Sequence, residues 1–173
     1  GIVGVKHVLN RPYEVMDTNI RMLQNVITLA KRQSSLNRLL FASTSEVYAG
    51  TLEKYGLEIP TAEESNIVVS GLNRPRTSYM LSKIVGEVMC QHCGVPFTIF
   101  RPHNIYGPRM GMAHVIPELL RKVWDIQSPQ PLEVYSVDHS RSFCYVDDAV
   151  EMLIRMLHTE ACGQKTLNLG TES

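Results

Sequence analysis

A tyrosine and a lysine four residues apart, Tyr79 and Lys83, form the sharpest chemical signal in the sequence. At this spacing the two side chains lie on one face of a helix, one turn apart. A lysine ammonium beside a phenol favours the phenolate, so the spacing predicts a lowered tyrosine pKa and a general base. The same spacing also occurs by chance on helices that have no catalytic role.

A hydroxyl-rich segment, Thr44, Ser45 and Glu46, directly follows an apolar run at 38–43 that is typical of a buried strand. In open α/β sheets, ligands bind at the carboxyl ends of the strands. A hydroxyl there can bond both the base tyrosine and a substrate hydroxyl, and Glu46 can move protons. The alternative is a strand cap rich in serine and threonine, without a catalytic role.

Two further segments contain arginine: RPHNIYGPR at 101–109 comes at the carboxyl end of an apolar strand, and RSFCYVDD at 141–148 leads into a helix. Arginine suits bidentate contact with phosphate or carboxylate groups. Surface ion pairing is the alternative for the arginines, and helix capping is part of the explanation for Asp147 and Asp148.

The elements that must position these residues follow from the spacing of apolar side chains. The predicted elements are helices over 12–32, 78–93 and 115–124 and from 147 onward, and strands over 38–43, 97–101, 132–135, 141–145 and 165–169. Residues 49–76 and 102–112 are predicted as loops. Helices that alternate with short apolar strands predict an α/β fold with a parallel sheet.

The composition excludes several classes of protein. The chain has 173 residues, with 17 basic and 17 acidic side chains, so it lacks the net positive charge typical of nucleic-acid-binding proteins. No apolar stretch reaches the ~18 residues of a membrane span, and four cysteines are too few for a secreted disulfide framework. We therefore expect a cytoplasmic protein with no nucleic-acid or membrane partner. Cys90 and Cys93 have metal-like spacing but no second pair, so no metal site is predicted.

Taken together and in this order, the motifs resemble the NAD-dependent nucleotide-sugar epimerase/dehydratase family, which belongs to the extended short-chain dehydrogenases/reductases. The resemblance covers nearly the whole chain and rests on five segments: STSEVY at 43–48, YMLSK at 79–83, RPHNIYGPR at 101–109, RSFCYVDD at 141–148 and LNLGTES at 167–173. It implies a Rossmann-like, doubly wound parallel sheet. It also implies NAD as cofactor, a nucleotide-diphosphate sugar as substrate and a homodimer.

The resemblance assigns Thr44, Tyr79 and Lys83 to the family's catalytic triad. Tyr79 would accept the proton of a sugar hydroxyl, and Thr44 would orient the substrate oxygen. Lys83 would lower the pKa of Tyr79 and hold the cofactor ribose.

Further residues receive binding roles from the same resemblance. Pro102 and His103 would lie beside the nicotinamide, so that they bind the cofactor together with the tyrosine and lysine of the triad. Asn104 would contact the nucleotide diphosphate, and Arg141 a phosphate or the sugar. Ser45 is expected to contact the substrate.

The reaction implied by the resemblance begins with oxidation of the sugar, usually at C4, by hydride transfer to NAD. The pair Ser45-Glu46 replaces the Asp-Glu pair of the dehydratases and is similar to the UDP-glucuronate decarboxylases, as is NRPRTSY at 73–79. In those enzymes the glutamate and an arginine matching Arg141 act around the departing carboxylate. Decarboxylation is therefore favoured, and simple C4 epimerisation stays open because it needs only the triad. A non-catalytic NAD-binding regulator or scaffold is the alternative class, against which the intact triad argues.

One family feature is absent from the sequence: the G-x-x-G-x-x-G turn that cradles the cofactor pyrophosphate. We expect the opening strand–helix units to precede Gly1, and most of the C-terminal substrate lobe to follow Ser173, so the Rossmann-like fold should be incomplete. Residues 1–112 are predicted as the C-terminal half of the NAD-binding domain. Residues 113–173 are predicted as the start of the substrate-binding lobe, interleaved with returning Rossmann elements.

Overall fold

The computed structural model describes residues 1–126, 131–134 and 141–171. The helices in these ranges are α1 (Val5–Asn10), α2 (Pro12–Ala30), α3 (Ala49–Tyr55), α4 (Pro75–His92), α5 (Val115–Asp125) and α6 (Val146–His158). The strands are β1 (Leu39–Ala42), β2 (Phe97–Pro102), β3 (Asn104–Tyr106), β4 (Phe143–Tyr145) and β5 (Lys165–Leu169). Two 3-10 turns span Ser45–Tyr48 and Glu160–Cys162.

A parallel three-stranded sheet with the order β1-β2-β5 is the centre of the fold. Leu39 of β1 lies opposite Phe97, and Phe100 of β2 lies opposite Leu167. The crossover from β1 to β2 contains α3 and α4, and β5 follows α6. All three carboxyl ends therefore meet at one edge, where the predicted site residues follow β1 and β2.

Helices cover both faces of this sheet. On one face, α2 and α4 contribute to a core with β2, formed by Leu23, Ile27, Cys90, Phe97 and Ile99. On the other face, α6 packs with β4 and β5 in a second core, formed by Cys144, Ala149, Met156 and Leu169. The predicted α/β fold with a parallel sheet is confirmed, and the helices on both faces are those of a doubly wound sheet.

Two helices were not predicted from the sequence. Val5–Asn10 forms α1, and the predicted loop 49–76 contains the whole of α3. Gly50 lies inside α3 because the helix packs closely on the next loop: a Cβ at Gly50 would lie only 1.9 Å from the carbonyl oxygen of Val68. Gly50, which lies in the predicted loop, is therefore required by the close packing of α3.

The predicted loop 102–112 also contains a strand, β3, which pairs in parallel with β4 in a separate two-stranded sheet. Residues 131–134 form no strand, contrary to the prediction for 132–135, and Tyr135 lies outside the described residues. None of the helices in the described ranges is both long and apolar enough to cross a membrane.

Candidate active site

The predicted triad converges at the carboxyl end of β1. Tyr79 and Lys83 lie one turn apart on α4, and Thr44 follows β1 by two residues. The Thr44 hydroxyl makes a polar contact with the Tyr79 phenol. The Lys83 ammonium lies 5.6 Å from the centre of the Tyr79 ring and donates a hydrogen bond of 2.8 Å to the carbonyl oxygen of Ala42. Thr44, Tyr79 and Lys83 therefore share one site.

The 3-10 turn Ser45–Tyr48 brings Glu46 to the same place. Thr44 has an extended backbone, and its Oγ1 accepts a hydrogen bond of 3.3 Å from the Glu46 amide, as a helix-capping threonine does. Glu46 lies close enough to Tyr79 for its charge to act on the phenol. Ser45 is half-buried at the start of the turn.

The pKa of Tyr79 is raised rather than lowered in this structure. Burial of the phenol raises its pKa most, the charge of Glu46 raises it further, and the contact with Thr44 lowers it. The prediction that Lys83 lowers the pKa of Tyr79 is therefore wrong. Lys83 is itself partly buried, which lowers its pKa, and it bonds a main-chain carbonyl.

An arginine that the sequence analysis did not single out also belongs to this site. Arg76 Nη2 lies 3.0 Å from Glu46 Oε1, so the carboxylate has a cationic partner. Arg76 lies on α4 three residues before Tyr79, and this helical spacing was the signal that could have identified it.

The predicted cofactor residues Pro102 and His103 lie at the carboxyl end of the neighbouring strand β2. The His103 amide donates a hydrogen bond of 2.9 Å to the carbonyl oxygen of Leu169 at the end of β5. Burial lowers the pKa of His103, so its imidazole is neutral at pH 7. An uncharged ring at this edge of the sheet is compatible with a nearby nicotinamide.

The two predicted substrate-binding segments lie next to each other. Asn104 donates from its main-chain amide and from its side-chain Nδ2 to the carbonyl oxygen of Ser142, at 3.2 and 3.0 Å. Arg141, the residue before Ser142, is exposed, as is Asn104. The structure therefore joins the segments of Asn104 and Arg141 beyond the ends of β2 and β5.

Arg101 has neither of the roles weighed for it in the sequence, phosphate contact or surface ion pairing. Its guanidinium makes a buried, bidentate ion pair with Glu87 of α4, with distances of 2.9 and 2.7 Å. Both side chains are 5% exposed. Glu87 was missed because its partner lies on another element, although it continues the four-residue spacing of Tyr79 and Lys83 on α4.

Cys90 lies in the core formed by α2, α4 and β2, and Cys93 packs against that core. Burial raises the pKa of the Cys90 thiol to about 12. Cys93 donates through Sγ to the carbonyl oxygen of Cys90 at 3.3 Å. Over residues 1–126, 131–134 and 141–171, no three histidine, cysteine, aspartate or glutamate side chains are grouped to hold a metal ion.

With the site geometry established, comparison with known proteins identifies the family. The family model described as "NAD dependent epimerase/dehydratase family" matches residues 1–170. The chain belongs to this family. Its cofactor is NAD, as the sequence predicted, and its fold is the Rossmann-like fold of the nucleotide-sugar epimerases.

Two curated relatives have different activities. The chain is 33% identical over 178 aligned residues to the UDP-N-acetyl-alpha-D-glucosaminuronate decarboxylase of Bacillus cytotoxicus, covering 99% of the chain and 52% of that protein. It is 34% identical over 162 residues to a probable UDP-glucuronate 4-epimerase of Rhizobium meliloti, covering 90% of the chain and 43% of that protein. The chain thus spans about half the length of these relatives.

A solved structure shows the same fold at lower sequence identity. The UDP-N-acetylglucosamine 4-epimerase of Methanobrevibacter ruminantium, in complex with UDP-N-acetylmuramic acid, superposes with a TM-score of 0.78 at 19% identity. The match covers 98% of this chain and 52% of that one. The incomplete Rossmann-like fold expected from the sequence is consistent with these coverages.

The residues present fit one half of an NAD site. Lys83 has three N–H donors and, in the described part of the chain, one hydrogen bond to Ala42, so further donors can bind a ribose hydroxyl. Tyr79, on α4 and in contact with Thr44 after β1, and His103, which follows β2, lie at the same edge of the sheet. The sequence contains no G-x-x-G-x-x-G turn for the pyrophosphate. These residues therefore suit the nicotinamide-ribose half of the cofactor.

Proposed function

We propose that the protein is an NAD-dependent enzyme that oxidises a nucleotide-linked uronic acid at C4 and then decarboxylates it. The observation that carries this proposal is the convergence of Thr44, Tyr79 and Glu46 at the end of β1. A base, a hydroxyl and a carboxylate at one strand end are the groups that the reaction needs. The identity to a uronate decarboxylase supports the same substrate class.

In the first step, Tyr79 accepts the proton of the C4 hydroxyl. Thr44, in contact with the phenol, orients the substrate oxygen, and Lys83 holds the ribose through its remaining N–H donors. NAD⁺ would supply the oxidant for the C4 hydrogen and its electron pair, and its positive charge would oppose the rise in the pKa of Tyr79 caused by burial and Glu46.

Oxidation at C4 turns the C5 carboxylate into that of a β-keto acid. The bond between C5 and the carboxylate carbon then breaks, carbon dioxide leaves, and the electron pair forms an enolate. Glu46 takes up a proton from solvent and passes it to C5, and Tyr79 returns its own proton to the C4 oxygen when the ketone is reduced. Arg141 binds the carboxylate before it leaves, as a bidentate partner.

C4 epimerisation is the second candidate, supported by the identity to the probable UDP-glucuronate 4-epimerase. That reaction needs only Tyr79, Lys83 and Thr44, together with a ketosugar that can rotate within the site. Glu46 would then have no chemical step to perform. The two candidates therefore differ in what the loss of Glu46 does.

The test uses the natural gene product that contains this chain, with NAD⁺ and UDP-glucuronate. Glu46→Gln should still form NADH when substrate is added but release little carbon dioxide. The matched control is Glu53→Gln, because Glu53 forms a comparable exposed ion pair with Arg74 at 2.9 Å. This control should decarboxylate like the wild type.

Three other outcomes would contradict the proposal. Interconversion of UDP-glucuronate and its C4 epimer without carbon dioxide would establish the epimerase. Turnover of neutral hexoses alone would exclude a uronic acid substrate. Binding of NAD⁺ without turnover of any nucleotide sugar would establish the regulator or scaffold.

The homodimer, the cytoplasmic location and the domain boundary at residue 112 stay predictions. Sedimentation of the natural gene product would test the homodimer.

A further inference from the structure

A buried polar network lies beneath the proposed catalytic site. At its centre, Arg101 of β2 donates from Nε and Nη2 to the two carboxylate oxygens of Glu87 on α4. Burial lowers the pKa of Arg101, but Glu87 and the Tyr48 hydroxyl raise it, and the net direction is upward. The guanidinium therefore remains charged and needs its carboxylate partner.

Glu87 holds one end of the catalytic segment, residues 43–48. Ser43 Oγ donates to Glu87 Oε1 at 2.5 Å, and the Ser43 amide donates to the carbonyl oxygen of Phe100 at 2.8 Å. Ser43 is 3% exposed and immediately precedes Thr44. Both hydrogen bonds fix the main chain at the point from which the Thr44 hydroxyl projects.

Arg101 holds the other end of the same segment. Its Nη1 donates to the Tyr48 hydroxyl at 2.5 Å, and that hydroxyl donates to Asn168 Oδ1 on β5 at 3.0 Å. The same Nη1 also donates to the carbonyl oxygen of Glu63 at 2.8 Å. Tyr48 is the last residue of the 3-10 turn that contains Glu46. One ion pair thus fixes both ends of the segment that carries Thr44 and Glu46.

Stability alone is a weak explanation for this arrangement. A buried ion pair is often no more stabilising than apolar side chains of similar volume, because desolvation offsets the attraction between the charges. In the described residues every buried side-chain nitrogen and oxygen has a hydrogen-bond partner, so the network is closed. Closed polar networks favour one geometry over others.

We propose that Glu87 and Arg101 are positioning residues, which act through Ser43 and Tyr48 to hold Thr44 and Glu46 in place beside Tyr79. The assignment rests on the proposed function, because it gives the pair a role in the same oxidation and protonation steps. Both side chains are only 5% exposed, so the proposal gives them no direct contact with substrate or cofactor. Their effect is on the geometry of the groups that do.

Ser43→Ala and Tyr48→Phe test this proposal while they keep the ion pair intact. Each removes one hydroxyl that connects the pair to the catalytic segment. Thr98→Val is the matched control, because Thr98 is 0% exposed and its Oγ1 donates to the carbonyl oxygen of Cys162 at 2.6 Å, toward the other end of β2. All three variants lose a buried hydrogen bond and should lose comparable stability.

The readout is kcat and KM of the natural gene product with NAD⁺ and UDP-glucuronate, at a temperature where each variant is folded. Ser43→Ala and Tyr48→Phe should each lower kcat roughly 10- to 100-fold with little change in KM, since small displacements of catalytic groups cost this much. Thr98→Val should keep the wild-type kcat. Wild-type kcat in both Ser43→Ala and Tyr48→Phe, with melting temperatures lowered as in Thr98→Val, would overturn the proposal.

A second readout does not depend on the proposed function. The contact with Thr44 lowers the pKa of Tyr79, so displacement of Thr44 should raise that pKa. The charged groups around the phenol, Glu46, Lys83 and Arg76, are unchanged in this variant. Ultraviolet titration, with the Tyr79→Phe variant subtracted, isolates this phenol. Ser43→Ala should raise its pKa and Thr98→Val should not; an unchanged pKa in Ser43→Ala would also overturn the positioning role, whatever the enzyme's substrate.

Discussion

Two charged side chains of opposite sign, Glu46 and Arg76, act next to the phenol of Tyr79. The carboxylate raises the pKa of the phenol, and the guanidinium, 3.0 Å from that carboxylate, partly neutralises it. Both side chains are partly exposed, so solvent screens the pair and limits its contribution to stability. In the proposed mechanism, their main effect is on the pH at which Tyr79 would act as a base.

This charge balance predicts opposite pH shifts in two variants. Tyr79 must lose its proton to act as a base, so the rate of NADH formation rises with pH through its pKa. Glu46→Gln should lower that pKa and shift the rise in NADH formation to lower pH. Arg76→Gln leaves Glu46 without this ion pair and should shift the rise in NADH formation to higher pH. We expect each shift to be at most about one pH unit.

The pH dependence of NADH formation in the natural gene product measures both shifts, with Glu53→Gln as the control that should leave the rise at the wild-type pH. Shifts in the same direction for Glu46→Gln and Arg76→Gln would show that the pair does not set the Tyr79 pKa.

Sequence spacing predicted the candidate site residues that share one motif and missed contacts between residues on different elements. Tyr79 and Lys83 were found because a helix places them one turn apart, and Thr44 because it follows an apolar strand. Arg101 and Glu87 are 14 residues apart in sequence, and only the packing of α4 on β2 reveals their contact. The raised pKa of Tyr79 likewise depends on burial, which spacing does not show.

At the scale of elements, the packing of α3 on the following loop is the feature that sequence patterns concealed. Thr51 on α3 donates to the carbonyl oxygen of Asn66 at 2.6 Å and accepts from the Val68 amide at 3.1 Å. Because Gly50 has no side chain, α3 can pack directly against the main chain of Val68. The short strands β3 and β4 were also hard to predict, because each gains its partner from a segment about 40 residues away. Longer elements with regular apolar spacing, such as α2 and β5, were predicted nearly to the residue.

Gly50→Ala should therefore destabilise the chain despite the higher helix propensity of alanine. The propensity gain is about 1 kcal/mol, whereas the added Cβ would lie 1.9 Å from a main-chain oxygen. We expect a net loss of about 1–3 kcal/mol, typical of overpacking. Urea denaturation measures it, with Gly111→Ala as control, since a Cβ there meets nothing nearer than 3.5 Å. An increase in stability in Gly50→Ala would contradict the packing role.

At the scale of the whole molecule, the three-stranded sheet gathers the candidate site at one edge. Thr44 follows β1 and His103 follows β2. Thr171 follows β5, and its carbonyl oxygen accepts a hydrogen bond from the Ser142 hydroxyl. The chain covers 52% and 43% of its two curated relatives, and its sequence lacks the glycine-rich turn. The fold class and family followed from motif order, whereas substrate choice depends on contacts beyond the triad.

Turnover of UDP-glucuronate by Tyr79→Phe, compared with the wild type of the natural gene product, is the most direct test of the central claim. The substitution keeps the ring and removes the hydroxyl that accepts the C4 proton. Loss of a general base should lower kcat by roughly 10²- to 10⁴-fold, while the affinities for NAD⁺ and for UDP-glucuronate stay nearly unchanged. Wild-type turnover in Tyr79→Phe would show that this tyrosine is not the base and that the site at the end of β1 does not perform the chemistry proposed for it.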